Sequence, residues 1–468
     1  MKKVILVLML VFTTIIFAAK PKYVFLFIGD GMAAPQVMST SIYLENTSNE
    51  KLAFTDFKAQ GFVTTYSANS FITDSAAAGT AIATGNKTDS GVISMDSTKT
   101  KKYTSIAKYA KEELNMKVGI VSSVSLDHAT PAVFYATEPS RNNYYNIAKQ
   151  IATSNFDYFA GGGIKGNTAS KRKNNPDLIP IFEKAGYKVI NNKYDFNRLK
   201  EKNNKIIAIN PVLTGGEAMP YEIDRKNDKY NNISLAEFTK KGIELLDNEN
   251  GFFMMVEGGK IDWAGHANDA ASVINDTLAF NDAVKEAVNF YNEHPNETLI
   301  IVTGDHETGG MSIGFAGTKY STFFDKIKNQ TVSYEAFNNE FNKYKETYKN
   351  NAKFDDVMPM LKKYFGLGEE DLTLTSLEIQ RLKNAFNASI NGSKNKDEDY
   401  LLYGGYEPLV VTATHILNNK AGIGWTSYSH TGVPVPLYAK GNGEEIFKGF
   451  YDNTDIYKKL KYVLSLGI

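Results

Sequence analysis

Tyr23-Val24-Phe25-Leu26-Phe27-Ile28 runs straight into Gly29-Asp30-Gly31. An apolar run of β-branched and aromatic residues, nearly continuous in hydrophobicity, fits a strand buried on both faces. Three more runs share the pattern: Val118–Val121, Phe252–Val256 and Thr298–Val302. Helical periodicity lies between them, at Tyr103–Leu114, Leu235–Leu246 and Ala267–Tyr291. Strands alternating with helices predict an α/β fold, a large, mostly parallel central sheet flanked by helices on both faces. Ligands of such sheets bind beyond the carboxyl ends of the strands. Those ends carry Asp30, Glu257 (before Gly258-Gly259) and Asp305-His306 (after Gly304).

The rest of the 468 residues sets bounds. Lys+Arg and Asp+Glu balance at 52 each, which excludes nucleic acid or an anionic membrane as a bulk partner. With no cysteine, any metal must sit on His, Asp, Glu or hydroxyl oxygens, and disulfides and thiol nucleophiles are excluded. Met1-Lys2-Lys3, the apolar Val4–Phe17 and the small pair Ala18-Ala19 follow the order of a secretory signal peptide, expected over residues 1–19. It predicts an exported protein, periplasmic or extracellular, with no stable membrane anchor. Residues 20–468 then form one domain. Within it 315–410, rich in Lys, Asn and aromatics and with Phe337, Phe341, Tyr344 and Tyr348 at helical spacing, is expected to be an inserted cap.

Of the six histidines, His294 reads as a solvated helix end and His415 as part of an apolar helix. The other four stand in glycine-punctuated polar segments. Asp262 and His266, at i and i+4, share a helix face and can meet one ion. Asp305 and His306 are adjacent, so both reach one site only if the strand has ended, and Gly304 permits such a turn. Asp74-Ser75 opens a helix-like stretch to Ala83, placing the Ser75 hydroxyl at a helix N-terminus, where free N–H groups favour an alkoxide or phosphate. No general-base triad accompanies it, so a metal is needed to activate the hydroxyl. Thr130 precedes Pro131 and is expected to be extended, offering its hydroxyl to a metal. Arg141 supplies a fork suited to two phosphoryl oxygens. His430, between small polar residues and before the strand-like Val433–Tyr438, is a late candidate ligand.

Taken in order, Gly-Asp-Gly at 29–31, Asp-Ser-Ala-Ala at 74–77, His-Ala-Thr-Pro-Ala at 128–132 with Arg141, Glu257 through His266, Gly-Asp-His-Glu at 304–307 and His-Thr-Gly at 430–432 resemble the alkaline phosphatase family. The resemblance runs from about residue 22 to the end. It implies a homodimeric metal-dependent hydrolase of small phosphate monoesters with two zinc ions and one magnesium. Asp262, His266 and His430 would hold the first zinc. Asp30, Asp305 and His306 would hold the second, beside the nucleophile Ser75. Asp30, Thr130 and Glu257 would hold magnesium, an all-oxygen set that suits it. Arg141, oriented by Asp74, would grip the phosphoryl group. His128 and Trp263 depart from the best-known bacterial pattern, which has a carboxylate and a lysine there, and look like the animal-type and marine bacterial members; cobalt could then replace either metal. Sister readings are a sulfatase, a phosphodiesterase or a non-catalytic periplasmic metal- or phosphate-binding protein. A sulfatase would need x-Pro-x-Arg after its nucleophile, whereas Ser75 is followed by Ala76-Ala77-Ala78-Gly79.

Overall fold

The computed structural model describes residues 20–392 and 396–465, so the leader expected over 1–19 lies outside the described residues. The strands are β1 (Tyr23–Gly29), β2 (Ala59–Thr64), β3 (Lys117–Ser122), β4 (Tyr158–Gly161), β5 (Tyr187–Ile190), β6 (Lys205–Ile209), β7 (Phe252–Glu257) and β8 (Thr298–Gly304). They continue with the short β9 (Glu307–Thr308), β10 (Ser312–Ile313), β11 (Ile423–Gly424) and β12 (His430–Thr431), then β13 (Val435–Gly441) and β14 (Gly449–Asp452). Ten of them form one sheet, ordered β14-β2-β13-β8-β1-β7-β3-β4-β6-β5. Every pairing in it is parallel except those of β13, which runs against β2 and β8.

The alternation of side chains along β1 explains why its apolar run is continuous. Tyr23, Phe25 and Phe27 enter the core on one face of the sheet, and Val24, Leu26 and Ile28 the core on the other. Both cores are built of buried apolar side chains, which is why the run is apolar at both parities. Helices Leu235–Leu246 and Ala270–Glu293 cover the first face, while Ile106–Glu113, Ala129–Tyr135 and Thr454–Val463 cover the second. Apolar residues of the 315–410 region, among them Phe337, Phe341, Leu361 and Leu382, extend the first core.

Three local expectations shift. The helix read over Tyr103–Leu114 begins at Ile106, because the Ser105 hydroxyl caps it by accepting from Lys108 N–H. The one read over Ala267–Tyr291 begins at Ala270: Asn268 takes a left-handed φ of 52°, and Asp269 caps the new helix. Thr130 is not extended. It lies in the first turn of Ala129–Tyr135, where Pro131 costs nothing because N–H groups of a first turn lack helical partners anyway.

Register places the chemistry. Gly29 pairs with Gly304, and Ile28 and Ser122 both pair with Glu257, so the strand ends are level and their carboxylates become neighbours. Gly304 serves this by its lack of volume, since a Cβ there would lie 2.1 Å from the Met32 carbonyl oxygen. A backbone atom cannot swing away as a flexible side chain can. Gly304→Ala is therefore expected to lower the unfolding free energy by about 1–3 kcal/mol, as overpacking of a rigid interior does. A urea titration checks this, and an unshifted midpoint would show that the 29–32 turn yields freely.

Candidate active site

Ser75 is the first residue of helix Ser75–Thr84, and Asp74 caps that helix by accepting from Ala77 N–H. The capping carboxylate also accepts from Gly91 N–H at 3.0 Å and from Arg141 Nη1 at 2.9 Å. These contacts hold the arginine fork near the helix N-terminus. Its second amino group, Nη2, lies 3.3 Å from His128 Nε2. The Trp263 ring stands edge-on to the His128 ring, with centroids 5.9 Å apart.

The nucleophile candidate faces a buried histidine, Ser75 Oγ lying 3.3 Å from His306 Nε2. That nitrogen is also 3.2 Å from Asp30 Oδ1 and 3.5 Å from Asp305 Oδ2. The tautomer follows from the neighbours. Thr308 donates its one hydroxyl proton to Asp262 Oδ1 at 2.5 Å, so it accepts from His306 Nδ1–H at 3.3 Å. The Nε2 lone pair is thereby aimed among carboxylate oxygens.

His430 arrives from far along the chain. Strand β12 pairs with β9 in a two-rung antiparallel ladder, His430 opposite Thr308 and Thr431 opposite Glu307. The His430 ring then stacks on the His306 ring at 3.7 Å. Helix Lys260–His266 brings His266 over Asp262, Nε2 to Oδ1, at 3.4 Å, and His430 Nε2 is 3.5 Å from the same oxygen. His266 Nδ1 donates to the Tyr428 carbonyl at 2.6 Å, and His430 Nδ1 to the Thr73 carbonyl at 2.8 Å. In the neutral rings both Nε2 atoms then carry lone pairs that face each other at 3.1 Å. Burial lowers the His430 pKa, but the Asp262 carboxylate outweighs it and raises the pKa to about 9, so a positive charge is favoured there. Two lone pairs and a carboxylate at that separation repel unless a cation sits among them.

The third group is oxygen-rich. Thr130 Oγ1 donates to Asp30 Oδ2 at 3.3 Å, and Ser122 donates to Glu257 Oε2. Ligand atoms of Asp30, His128 and Glu257 lie within 4.8 Å of one another, as do those of Asp30, Asp305 and His306 and those of Asp262, His306 and His430. Buried oxygens of three of these residues, Asp30 Oδ1, Glu257 Oε1 and Asp305 Oδ2, have no hydrogen-bond partner among the described residues. Burial, aided by neighbouring carboxylates, pushes Glu257 up to about 8 and Asp305 to about 7, and Asp30 rises for the same reasons. Asp262 is buried too, but His266 and His430 hold it well below the usual carboxylate range. Residues with this much unmet negative charge fit cations.

Every residue singled out from the sequence lies in this one region. His294 and His415 do not: His294 pairs loosely with Glu297, and His415 bonds Asn268 Oδ1. Four supporting residues were not named as candidates from the sequence, although Glu307 and Thr431 lie inside the quoted motifs. Ser122, Thr308 and Thr431 bond to acidic groups of the site, and Glu307 accepts from Gln36 Nε2 at 2.8 Å and ties down the 310–311 backbone. Only the register of neighbouring strands could have pointed to Ser122, and only the two-residue repeat after His306 to Thr308.

Comparison with known proteins bears on family and fold. A family model described as Alkaline phosphatase matches residues 21–466. Alkaline phosphatase 3 of Bacillus subtilis (strain 168) is 34% identical over 462 residues, covering 96% of this chain and 90% of that protein. The crystal structure of Thermus thermophilus alkaline phosphatase superposes with a TM-score of 0.81 at 25% identity, covering 96% of this chain and 92% of that one. A variant alkaline phosphatase of the Antarctic bacterium TAB5, solved with Mg bound in its M3 site, superposes at 0.66 with 25% identity, covering 96% and 99% of the two chains. The chain belongs to the alkaline phosphatase family.

Proposed function

We propose that this protein hydrolyses phosphate monoesters through a phosphoserine at Ser75, in a site holding two zinc ions and one magnesium. The observation that carries this reading is the placement of the Ser75 hydroxyl. It is at a helix N-terminus, 3.3 Å from a histidine nitrogen whose surroundings are unpartnered buried acceptors. A protein that only bound metal or phosphate would have no use for a nucleophile there.

Asp262, His266 and His430 would hold the first zinc, and Asp30, Asp305 and His306 the second. Asp30, Thr130 and Glu257 would hold magnesium, with His128 close enough to favour zinc or cobalt in its place. Bound zinc would supply Lewis acidity, lowering the pKa of the serine hydroxyl and stabilising charge on the departing oxygen. The protein's own groups do the rest. Ser75 Oγ attacks phosphorus in line, its bond to phosphorus forming as the bond to the ester oxygen breaks. Overall, the serine proton ends on the leaving alcohol. Arg141 binds two non-bridging oxygens as a fork, held in plane by Asp74. The N–H groups after Ser75 stabilise the same oxygens through the helix dipole. Water then attacks the phosphoseryl group from the opposite side and frees Ser75. Turnover of a chromogenic phosphomonoester, compared with a diester and a sulfate ester, separates this reading from its sister activities.

Ser75→Ala should reduce turnover by several orders of magnitude with nearly normal zinc content, because the metals keep their other ligands. Phosphate trapped on the protein at low pH should map to Ser75, and label on Thr73 or Thr80 would contradict the assignment. Arg141→Ala should raise KM and the inhibition constant of inorganic phosphate about ten- to a hundredfold, the loss of a charge-assisted bidentate contact. A chelator should abolish activity and lower the melting temperature together, since buried carboxylates left facing one another repel. Zinc plus magnesium should restore both, whereas an unchanged melting temperature would mean that the ions are not resident.

A further inference from the structure

Behind the Arg141–His128 wall lies a charge that the proposed chemistry does not use. Lys260, on the same helix as Asp262 and His266, has a fully buried side chain. Its ammonium sits 3.6 Å above the Tyr221 ring and 4.9 Å from the Trp263 ring. Its one carboxylate within ion-pair distance among the described residues is Glu335, with Oε2 at 3.5 Å. Burial lowers the Lys260 pKa, and Glu335, Asp276 and Asp224 oppose that shift.

Glu335 comes from the 315–410 region, at the start of helix Tyr334–Tyr348, and does two things at once. Its other oxygen, Oε1, accepts from Gly215 N–H at 3.1 Å. The next residue, Gly216, lies against the free edge of the Trp263 indole, so close that a Cβ there would meet the ring at 2.9 Å. The indole is thus held between Lys260 and the 215–216 backbone, and one carboxylate ties the two jaws together. Its seat is fixed in turn, since Ser333 bonds Asp224 through N–H and Oγ, and Tyr334 N–H bonds Asp269.

We infer that Lys260 and Glu335 are positioning residues that clamp the Trp263 indole beside His128 and Arg141, through which the 315–410 region sets how tightly the site binds phosphate. This rests on reading Arg141 as the phosphoryl-binding group. The wall with Trp263 is where phosphate would rest after hydrolysis, so a loosened indole should weaken ground-state binding more than it slows the chemical step.

The chain has only two tryptophans, so Trp425→Phe leaves Trp263 as the sole indole reporter. In that background Lys260→Met should increase acrylamide quenching of Trp263. KM and the phosphate inhibition constant should rise about three- to tenfold, with kcat changed less than about twofold, the scale of one buried cation–π contact. Metal content should stay constant, and Lys260→Arg should recover most of the loss. Combined with Trp263→Ala, Lys260→Met should add nothing further. Unchanged quenching, or an equal rise in KM without the indole, overturns the clamp. If Lys260→Met fails to fold, Glu335→Gln decides: its amide oxygen still accepts from Gly215, so it should move quenching and KM the same way by less, and no movement overturns the proposal. A wild-type protein inactive on phosphomonoesters would overturn the proposed function instead, and the quenching comparison would still decide the clamp.

Discussion

Four carboxylates, Asp30, Glu257, Asp262 and Asp305, are buried side by side at one end of the sheet, none more than 4% exposed. Nothing in a folded protein is harder to hold than like charges packed together away from water. The backbone around them is rigid for that reason. They sit at or just beyond parallel strands whose register makes the ends level, and Gly304 lets β8 close against the turn that carries Asp30. The imidazoles are fixed by the same logic. Each of His266 and His430 spends one nitrogen on a backbone carbonyl, which fixes the ring and turns the other nitrogen toward Asp262. A site so arranged has already met the cost of bringing its donors together, and cations are what reconcile them.

The fold was legible because β1 announces it. A run with apolar residues at both parities can only be a strand wetted on neither face, and the two separate cores follow from that. Helix limits were less legible, because caps decide them and a cap is one residue. Ser105 and Asp269 trimmed helices whose apolar periodicity continued past them. Thr130 shows the reverse error. A proline disfavours helix for the residue before it, but not enough to prevent a helix whose first turn has no hydrogen bonds to lose there.

At the site, strand ends marked three residues by position, local polar context alone suggested His430, and residues that act only through pairing carried no mark. Asp30, Glu257 and Asp305 each follow an apolar run, so position alone marks them. His430 lies 124 residues after His306 and reaches it only through a two-rung ladder too short to leave a pattern. Ser122 and Thr308 are ordinary residues of strands β3 and β9. Their part comes from register, which side-chain chemistry does not encode locally. The family resemblance supplied what the local reading lacked, by fixing the order of motifs rather than any one of them.

The two walls of the site are built in different ways, and this has consequences for how it can vary. The wall with the carboxylates is made of strand ends, so any displacement there propagates through the sheet and both cores. The other wall is made of two helix caps, a loop and the middle of helix Lys260–His266: Asp74, His128, Arg141 and Trp263, joined by the Arg141–Asp74 ion pair, the Arg141–His128 contact, the His128–Trp263 ring contact and the Glu335 link to the 315–410 region. Those contacts are few and specific, so a substitution among them changes orientation without disturbing the sheet. On the proposed function, metal binding would be tied to the stability of the whole fold, whereas phosphate affinity would rest on a handful of side chains. On the inferred clamp, the helical region from 315 to 410 would reach the phosphate side through Glu335, at a helix that also carries Asp262 and His266.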